Sequence, residues 1–501
     1  MQKKYTTFLL GILLSVFGVQ NLFAQTQTNP DYDLEYRKWR ITLFPPLSTN
    51  GVEAPAYTAR YSINLLWGYH GGLDGAEIGG LVNYNKHYAH GFQLAGLANA
   101  TGGDMLGLNI AGLANIAHND ISGVQGAGLF NYAGNELQGI QAAGLLNFSK
   151  ESSSGIQFAG IGNSSTGDLE GLQFSGVFNT SWEDISGVQG SGAFNMARGS
   201  VEGLQVTGGL NFAGEEISGL QVAGLGNIAM DDIEGLMVSS AFNFAGKDGS
   251  GLLISGGINY ANNLEGVVIS GGANIARELE GLQFAGILNA SKKATGLQIG
   301  LINYAEEFEG VPIGMISLYG NGRKNFDVRY SDGGFTDIGI TLGTYRVYNT
   351  ALFGYNTLLD RDVYRLGLAV GLEKNISDSF ERLSSETLFV NQEISYLHHF
   401  EEDFSRKTNA IWSYKFLVGN RFASGFSMYA GPSFNMQVSR VSEASDYTWY
   451  SLWSPEWKGR QYRFWAGFTV GIRLFKQKKM KPFREVIHNW DNGKPDWEIE
   501  W

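Results

Sequence analysis

The stretch GLQVAGLGNIAMDDIE, residues 219–234, decides the fold, because nearly the same sixteen letters come directly before it and directly after it. With its first glycine as position 1, the pattern is Gly, apolar, often Gln, apolar, small, Gly, apolar, small or apolar, Asn, apolar, small, and then a polar run. Sixteen repeats in such register indicate an architecture of stacked repeats. They begin, at steps of 16, then 15 and finally 14 residues, at Gly75, Gly91, Gly107, Gly123, Gly139, Gly155, Gly171, Gly187, Gly203, Gly219, Gly235, Gly251, Gly266, Gly281, Gly296 and Gly310.

Each repeat alternates with the two-residue period of a β-strand. In the opening stretch Leu220 and Val222 share one face, and Gln221, Leu225 and Asn227 share the other. The acidic segment after the strand has the composition of a turn. A repeat this small cannot bury its apolar face alone, so it must stack on its neighbours. We therefore predict an all-β fold in which the array, residues 75–318, is a parallel β-solenoid with one coil per 16-residue repeat.

Position 9 is asparagine in fifteen repeats, and only the last one departs, with Ser317 near that place. In a parallel stack these side-chain amides can hydrogen-bond from coil to coil, so we predict a structural ladder. The alternative is one large antiparallel β-barrel that includes the repeats; antiparallel neighbours would not require one asparagine column, but this alternative stays open. The predicted ladder consists of Asn83, Asn99, Asn115, Asn131, Asn147, Asn163, Asn179, Asn195, Asn211, Asn227, Asn243, Asn259, Asn274, Asn289 and Asn303.

The phrases GFQLAGLAN, GLQFAGILN and GLQIGLINYAEEFEGVPIGMISLYGNG resemble the glycine-rich surface-repeat proteins of Gram-negative bacteria, which carry G-x-Q-x-A-G-x-x-N arrays. The resemblance covers residues 61 to about 323. It implies an exported protein associated with the cell envelope. It offers no catalytic or binding residue to transfer to this chain.

Composition narrows the compartment and the partners. The net charge of −12 would repel a nucleic-acid backbone, so we expect no nucleic-acid partner. The absence of cysteine removes disulfides, thiol chemistry and a lipoprotein anchor. Lys3 and Lys4 precede a short apolar run that ends near Ala24, which predicts a signal peptide over residues 1–24 and hence export. No stretch reaches the ~20 apolar residues of a spanning helix.

The segments on either side of the array have the alternation of outer-membrane strands, with apolar residues on one face and small or polar residues on the other. An example is VYRLGLAVGL, residues 363–372. We predict an antiparallel outer-membrane-type β-barrel of eight to twelve strands, with its first strands in residues 36–69 and the rest in residues 320–475. Residues 476–501 form a C-terminal tail. The alternative is a soluble β-sandwich, whose strands also alternate.

The candidate chemistry is sparse. Acidic pairs recur in the turns, and a hard cation could relieve their repulsion, but a solvated edge is the favoured interpretation. His398 and His399 are interpreted as rim residues of a strand. We assign no catalytic, cofactor-binding or metal-binding residue and expect no enzyme.

The expected function is a structural or adhesion-like binding surface in the outer membrane or at the cell surface, with lipid and envelope or host glycans or proteins as partners. The alternative is a transport or pore-type barrel with the array as wall or plug. Three locations of the array remain open: outside the cell, in the periplasm or in the lumen of the barrel. The acidic pairs include Glu183 and Asp184, Glu215 and Glu216, Asp231 and Asp232, and Glu306 and Glu307.

Overall fold

The computed structural model describes residues 32–376, 387–401, 409–423, 425–440 and 447–475. Its fold is all-β, with a parallel β-solenoid of about 16 turns and a closed eight-stranded antiparallel barrel. The predicted fold class is therefore confirmed, and the alternative of one large barrel that includes the repeats is wrong. The predicted signal peptide and C-terminal tail lie outside the described residues. The chain divides into two compact units, Met1–Gly167 and Asp168–Trp501.

One coil of the solenoid consists of two strands and two corners. The longer strand runs from position 15 of one repeat to position 5 of the next, and the shorter one runs from position 8 to position 11. Corresponding residues pair in parallel, so Gly219 lies opposite Gly235 and Asn227 lies opposite Asn243. The corners fall at positions 6–7 and 12–14, because the first contains the Gly-Leu step and the second contains the polar run.

The first unit contains the beginning of the solenoid and a 3-10 helix, Gly51–Ala56. Its strands are β1 (Glu35–Phe44), β2 (Leu47–Ser48), β3 (Tyr57–Asn64), β4 (Trp67–Gly79), β5 (Val82–Ala95), β6 (Ala98–Thr101), β7 (Asp104–Ala111), β8 (Ala114–Ala117), β9 (Ile121–Ala127), β10 (Phe130–Ala133), β11 (Leu137–Ala143), β12 (Leu146–Ser149), β13 (Ser153–Ala159) and β14 (Gly162–Ser165).

The solenoid strands of the second unit lengthen from β24 onward, where the two strands of a coil merge through the turn at positions 12–14. They are β15 (Leu169–Ser175), β16 (Phe178–Ser181), β17 (Ile185–Ser191), β18 (Phe194–Ala197), β19 (Val201–Thr207), β20 (Leu210–Ala213), β21 (Ile217–Ala223), β22 (Gly226–Ala229), β23 (Ile233–Ser239), β24 (Phe242–Ser255), β25 (Ile258–Ser270), β26 (Ala273–Ala285), β27 (Leu288–Ile299), β28 (Ile302–Ile313) and β29 (Ile316–Tyr319).

The barrel follows the solenoid in the second unit. Each strand pairs antiparallel with the next, and β38 pairs with both β36 and β30, which closes the wall. A two-residue strand, β37, extends the edge of β38. The strands are β30 (Arg323–Ser331), β31 (Phe335–Gly343), β32 (Val347–Asn356), β33 (Val363–Asn375), β34 (Leu388–Glu401), β35 (Asn409–Ala423), β36 (Phe426–Ser439), β37 (Glu456–Trp457) and β38 (Arg460–Leu474).

Residues 36–69 do not provide the first barrel strands, so that prediction is wrong. β1 pairs in parallel with β3, and β3 pairs in parallel with β4, so this segment belongs to the solenoid sheet. Its alternating pattern was misleading because the solenoid also turns apolar side chains outward. All eight strands of the closed barrel lie after the array.

Candidate functional site

The interior of the solenoid is lined by polar columns. Gln221 and Asn227 are fully buried, whereas Leu225 is 55% exposed. The alternation grouped Gln221 with Asn227 correctly, but it wrongly placed Leu225 on their face, because the corner at positions 6–7 interrupts the two-residue period. The apolar face that we expected to be buried points outward. The inner space lies between two closely spaced strands and is filled by amides that satisfy one another, by small residues and by one apolar residue at position 15, such as Ile233.

The predicted asparagine ladder is present in the first unit. The Nδ2 of Asn131 donates to the Oδ1 of Asn147 at 2.9 Å and to the backbone carbonyl of Ala142 at 2.9 Å, while its own Oδ1 accepts from Asn115 at 2.9 Å. Each side chain therefore ties its coil to the next by both side-chain and backbone bonds. The same contact joins Asn83, Asn99, Asn115, Asn131, Asn147 and Asn163 in order.

The second unit repeats the ladder and extends it into the barrel. Asn303 donates to the Oγ of Ser317 at 3.4 Å, and Asn349 of β32 donates to the same oxygen at 2.8 Å. Ser317, the one departure from the column, is thus the point where the ladder meets the barrel. In this unit the hydrogen bond from the Nδ2 of one asparagine to the Oδ1 of the next joins Asn179, Asn195, Asn211, Asn227, Asn243, Asn259, Asn274, Asn289 and Asn303 in order.

A second ladder of glutamines at position 3 was not predicted. Gln141 donates to Gln125 at 3.0 Å, and Gln221 donates to Gln205 at 2.6 Å. These bonds run toward the N-terminal coils, whereas the asparagine bonds run toward the C-terminal coils. The recurrence of glutamine at position 3 was visible in the sequence, but the pattern alone did not tell which face lies inside.

The outer surface of the solenoid is sorted by charge. Positions 2, 4, 7, 8 and 10 point outward, and none of them is charged in any repeat. Charged side chains on the outside are confined to the turn after position 11 and to the last position before the next glycine. Each coil therefore has an uncharged, mostly apolar edge around the corner at positions 6–7 and a charged edge around the opposite corner.

The acidic residues of the charged edge have a structural role. The Oδ1 of Asp184 accepts from the backbone N–H of Ser200 at 2.7 Å, and the Oδ1 of Asp232 accepts from that of Asp248 at 3.0 Å. Such carboxylates tie one turn to the next coil. Lys247 also forms an ion pair with Asp231 at 2.5 Å. Among the described residues, no group of three or more His, Cys, Asp or Glu side chains is arranged to hold a metal ion.

A buried ion pair near the N-terminal end of the solenoid was also missed. Glu77 takes the place of glutamine at position 3, and Arg40 donates to it at 2.9 Å. Asn85 and Gln93 donate to the other carboxylate oxygen at 2.7 and 2.9 Å. Burial raises the pKa of Glu77, but the charge of Arg40 and these hydrogen bonds outweigh it and lower the pKa to about 2.

The lumen of the barrel is filled by buried ion pairs. Glu373 accepts from Arg323 at 2.7 Å, from Arg421 at 2.6 Å and from Arg473 at 2.8 Å. Arg473 also bonds to Asp327 at 2.9 Å. Eight strands enclose a space just wide enough for side chains, so a continuous network of this kind occupies it. Further lumen pairs are Arg329 with Asp327 and Glu393, Lys415 with Glu393, and Arg365 with Asp337.

The outer wall of the barrel is apolar. Leu366, Leu368, Val370 and Leu372 of β33 are 37–48% exposed, whereas Ala369 between them is 1% exposed. The other strands follow the same rule. The exposed outward residues of the wall include Ile338, Ile340, Phe353, Ile394, Trp412, Tyr414, Phe416, Val418, Met428, Phe434, Phe468 and Val470.

The two histidines of β34 have different environments. His399 is buried near the end of the strand, where its ring packs against Phe335 and Tyr447 at centroid distances of 5.0 and 5.1 Å. The ring of His398 contacts Phe400 at a centroid distance of 4.8 Å.

Comparison with protein-family models, curated proteins and solved structures found no match. In the described part of the chain, no helix has the length and apolar character needed to cross a membrane.

Proposed function

We propose that this chain is a non-enzymatic outer-membrane protein in which the barrel is an anchor and the solenoid is the binding surface. The observation that carries the proposal is the reversed polarity of the barrel: charged side chains fill its interior and apolar side chains cover its wall. A wall of this composition is stable against hydrocarbon and would be poorly soluble in water. A soluble β-sandwich has the opposite arrangement, with apolar residues between its sheets.

The filled lumen favours an anchor over the transport or pore alternative. Glu373, Asp327 and Glu393 are each within hydrogen-bond distance of at least two cationic side chains. A conducting path would require these pairs to separate inside a narrow space, which leaves buried charges without partners. The same packing leaves no room for the array as a luminal plug.

The loop lengths favour a periplasmic solenoid. The solenoid leads into the start of β30, and at that end of the barrel β31 and β32 are joined by the short turn Thr344–Arg346. The longest connection, from Ser439 to Arg460, lies at the other end. Outer-membrane barrels have short periplasmic turns and longer extracellular loops. Envelope molecules are therefore nearer candidates for the partner than host glycans or proteins.

Three measurements on the purified full chain and on intact cells test this proposal. We expect heat-dependent gel mobility, no stepwise ion conductance in planar bilayers, and protection of the solenoid when protease is added to whole cells. Stable conductance steps would favour the pore alternative. Cleavage of the solenoid from outside would reverse the orientation, and a water-soluble protein without a mobility shift would overturn the membrane barrel.

A further inference from the structure

The uncharged edge of the solenoid exposes large apolar side chains. In the second unit the large side chains at position 7 include Leu225, Ile287, Leu301 and Met315, which are 55%, 56%, 48% and 46% exposed. Smaller residues hold the same position in other coils, namely Ala193, Gly209, Ala241, Gly257 and Gly272. Outward residues at positions 4 and 8 flank this corner on both strands. Together these side chains make an apolar surface, and such a surface on a water-exposed protein marks an interaction site. We name the large side chains at position 7 the corner row.

The last coil abuts the barrel on its outer wall. Tyr348 and Thr350 point into the lumen, where they bond to Glu393 and Arg329, so Asn349 between them points outward. Asn349 is nevertheless only 2% exposed, because it donates to Ser317 of the last coil. The asparagine ladder, which follows the stacking direction, therefore ends on the flank of the barrel near its periplasmic end.

This attachment places the coils of the second unit beside a bilayer that surrounds the barrel. In the last coil Ile313 and Met315 of the uncharged edge are exposed, and strands β28 and β29 of that coil contact β31 and β32 of the barrel. The acidic residues lie at the opposite edge, which keeps them away from anionic lipid headgroups. Continuity with the apolar wall and the sorting of charge both favour lipid over a second protein chain as the occupant.

We infer that the uncharged edge of the solenoid binds the surface of a phospholipid leaflet, with the corner row inserted among the acyl chains. This inference rests on the proposed membrane barrel and deepens it by naming the ligand of the solenoid. Because apolar residues occupy both strands around the corner, the coil enters the leaflet as a wedge. A second copy of the chain, packed on one flat sheet, would leave the other side of the wedge exposed.

The test exploits the absence of cysteine, which allows one label per molecule. Three full-length variants, Leu225→Cys in the corner row, Glu234→Cys at the charged edge of the same coil, and Leu368→Cys on the barrel wall, are labelled with an environment-sensitive fluorophore. They are reconstituted into vesicles of phosphatidylethanolamine and phosphatidylglycerol with and without nitroxide-labelled phospholipid. We expect nitroxide to reduce the fluorescence at residues 225 and 368 to a comparable extent and to leave residue 234 nearly unchanged.

The other outcomes are distinguishable. Loss of fluorescence at residue 368 but not at residue 225 would overturn lipid binding by the solenoid and leave the barrel proposal standing. No loss at either residue would overturn both. A blue-shifted but unquenched label at residue 225, whose shift disappears as the protein is diluted with lipid, would identify a second copy of the chain as the occupant and overturn the inference.

Discussion

At the residue scale, the glycine at position 1 allows the coils to approach one another. Gly139 has a φ of +133°, a conformation that L side chains rarely adopt. A Cβ built on it would overlap the carbonyl oxygen of Gly123 in the preceding coil. The same glycine recurs at position 1 of every repeat, because each coil makes the same close approach.

Gly139→Ala should therefore destabilise its coil by roughly 1–3 kcal/mol from backbone strain, with a further cost from the overlap. Gly126→Ala is the matched control, since its Cβ would meet no atom within 4 Å. Hydrogen exchange of the flanking strands, followed by mass spectrometry, measures the free energy of local opening. Equal effects of the two substitutions would contradict the close approach.

The asparagine side chain supplies the bonds that hold the stack in register. Replacing Asn131 by leucine, which is of similar size, leaves the Oδ1 of Asn147 and the carbonyl of Ala142 without this donor. Each buried orphan costs about 1–3 kcal/mol, so we expect local opening to become easier by a few kcal/mol. Tyr132→Phe, on the outward face of the same strand, is the control. Unchanged hydrogen exchange in Asn131→Leu would show that the ladder contributes little.

At the residue scale the sequence predicted the asparagine column but not which face of the strands lies inside. The column of asparagines and its ladder followed from the period, because a parallel stack places like residues together. The direction of the faces did not follow, because alternation is the same whichever face is inside. Only the confinement of charge to the turns, together with uncharged outward positions such as Leu225, distinguishes the two arrangements.

At the element scale, the N-terminal coils and the barrel each contain buried charge with a defined partner. In the first coils the Nε2 of His70 donates a hydrogen bond to the Oδ1 of Asn64 at 2.9 Å and lies 3.9 Å from the Oε1 of Glu77. Burial, followed by the charge of Arg40, lowers the pKa of His70 from 6.5 to about 3. His70 is therefore neutral in the folded protein at neutral pH.

Acid should weaken this cluster. An unfolded His70 binds a proton below pH 6.5 whereas the folded one does so only near pH 3, so stability is lost as the pH falls through that window. Glu77 adds a loss in the same direction between its ordinary pKa of 4.5 and about 2. By pH 5 the loss of folding free energy that comes from His70 is on the order of 2 kcal/mol. Hydrogen exchange of β3 and β4 as a function of pH measures it.

His70→Gln is the matched variant, because it keeps a polar group but does not titrate. Opening of β3 and β4 should then depend less on pH between 6.5 and 4.5, and the remaining dependence should come from Glu77. An unchanged pH profile in His70→Gln would contradict the neutral, buried state of His70.

In the barrel, Glu373→Gln should be strongly destabilising, since three arginines lose a carboxylate partner in a buried space. Removing one member of a buried ion pair costs about 3–5 kcal/mol. The temperature at which the heat-modified gel band shifts should fall, whereas Leu372→Val on the outer wall should leave it nearly unchanged. Equal transition temperatures in the two variants would contradict a continuous ion-pair network. This network was not predictable from sequence, because the pairing of strands remote in sequence decides which charges meet.

At the scale of the whole molecule, two β architectures share one principle, which is a polar interior and an apolar exterior. In the barrel the charges of the lumen are paired, and in the solenoid the amides of the interior form ladders. The solenoid differs in that one edge of each coil is charged. The similar exteriors explain why the strands of residues 36–69 were predicted to belong to the barrel, since their outward residues, such as Trp39 and Ile63, are also apolar and exposed.

The central claim is that the barrel wall faces lipid and its lumen does not. Three consecutive residues of β33 test it most directly: Leu368→Cys, Ala369→Cys and Val370→Cys, each labelled with a small fluorophore in the full-length chain and reconstituted with nitroxide-labelled phospholipid. We predict strong quenching at residues 368 and 370 and little at residue 369, where the side chain points into the packed lumen. Equal quenching at all three residues, or none at residues 368 and 370, would contradict the account.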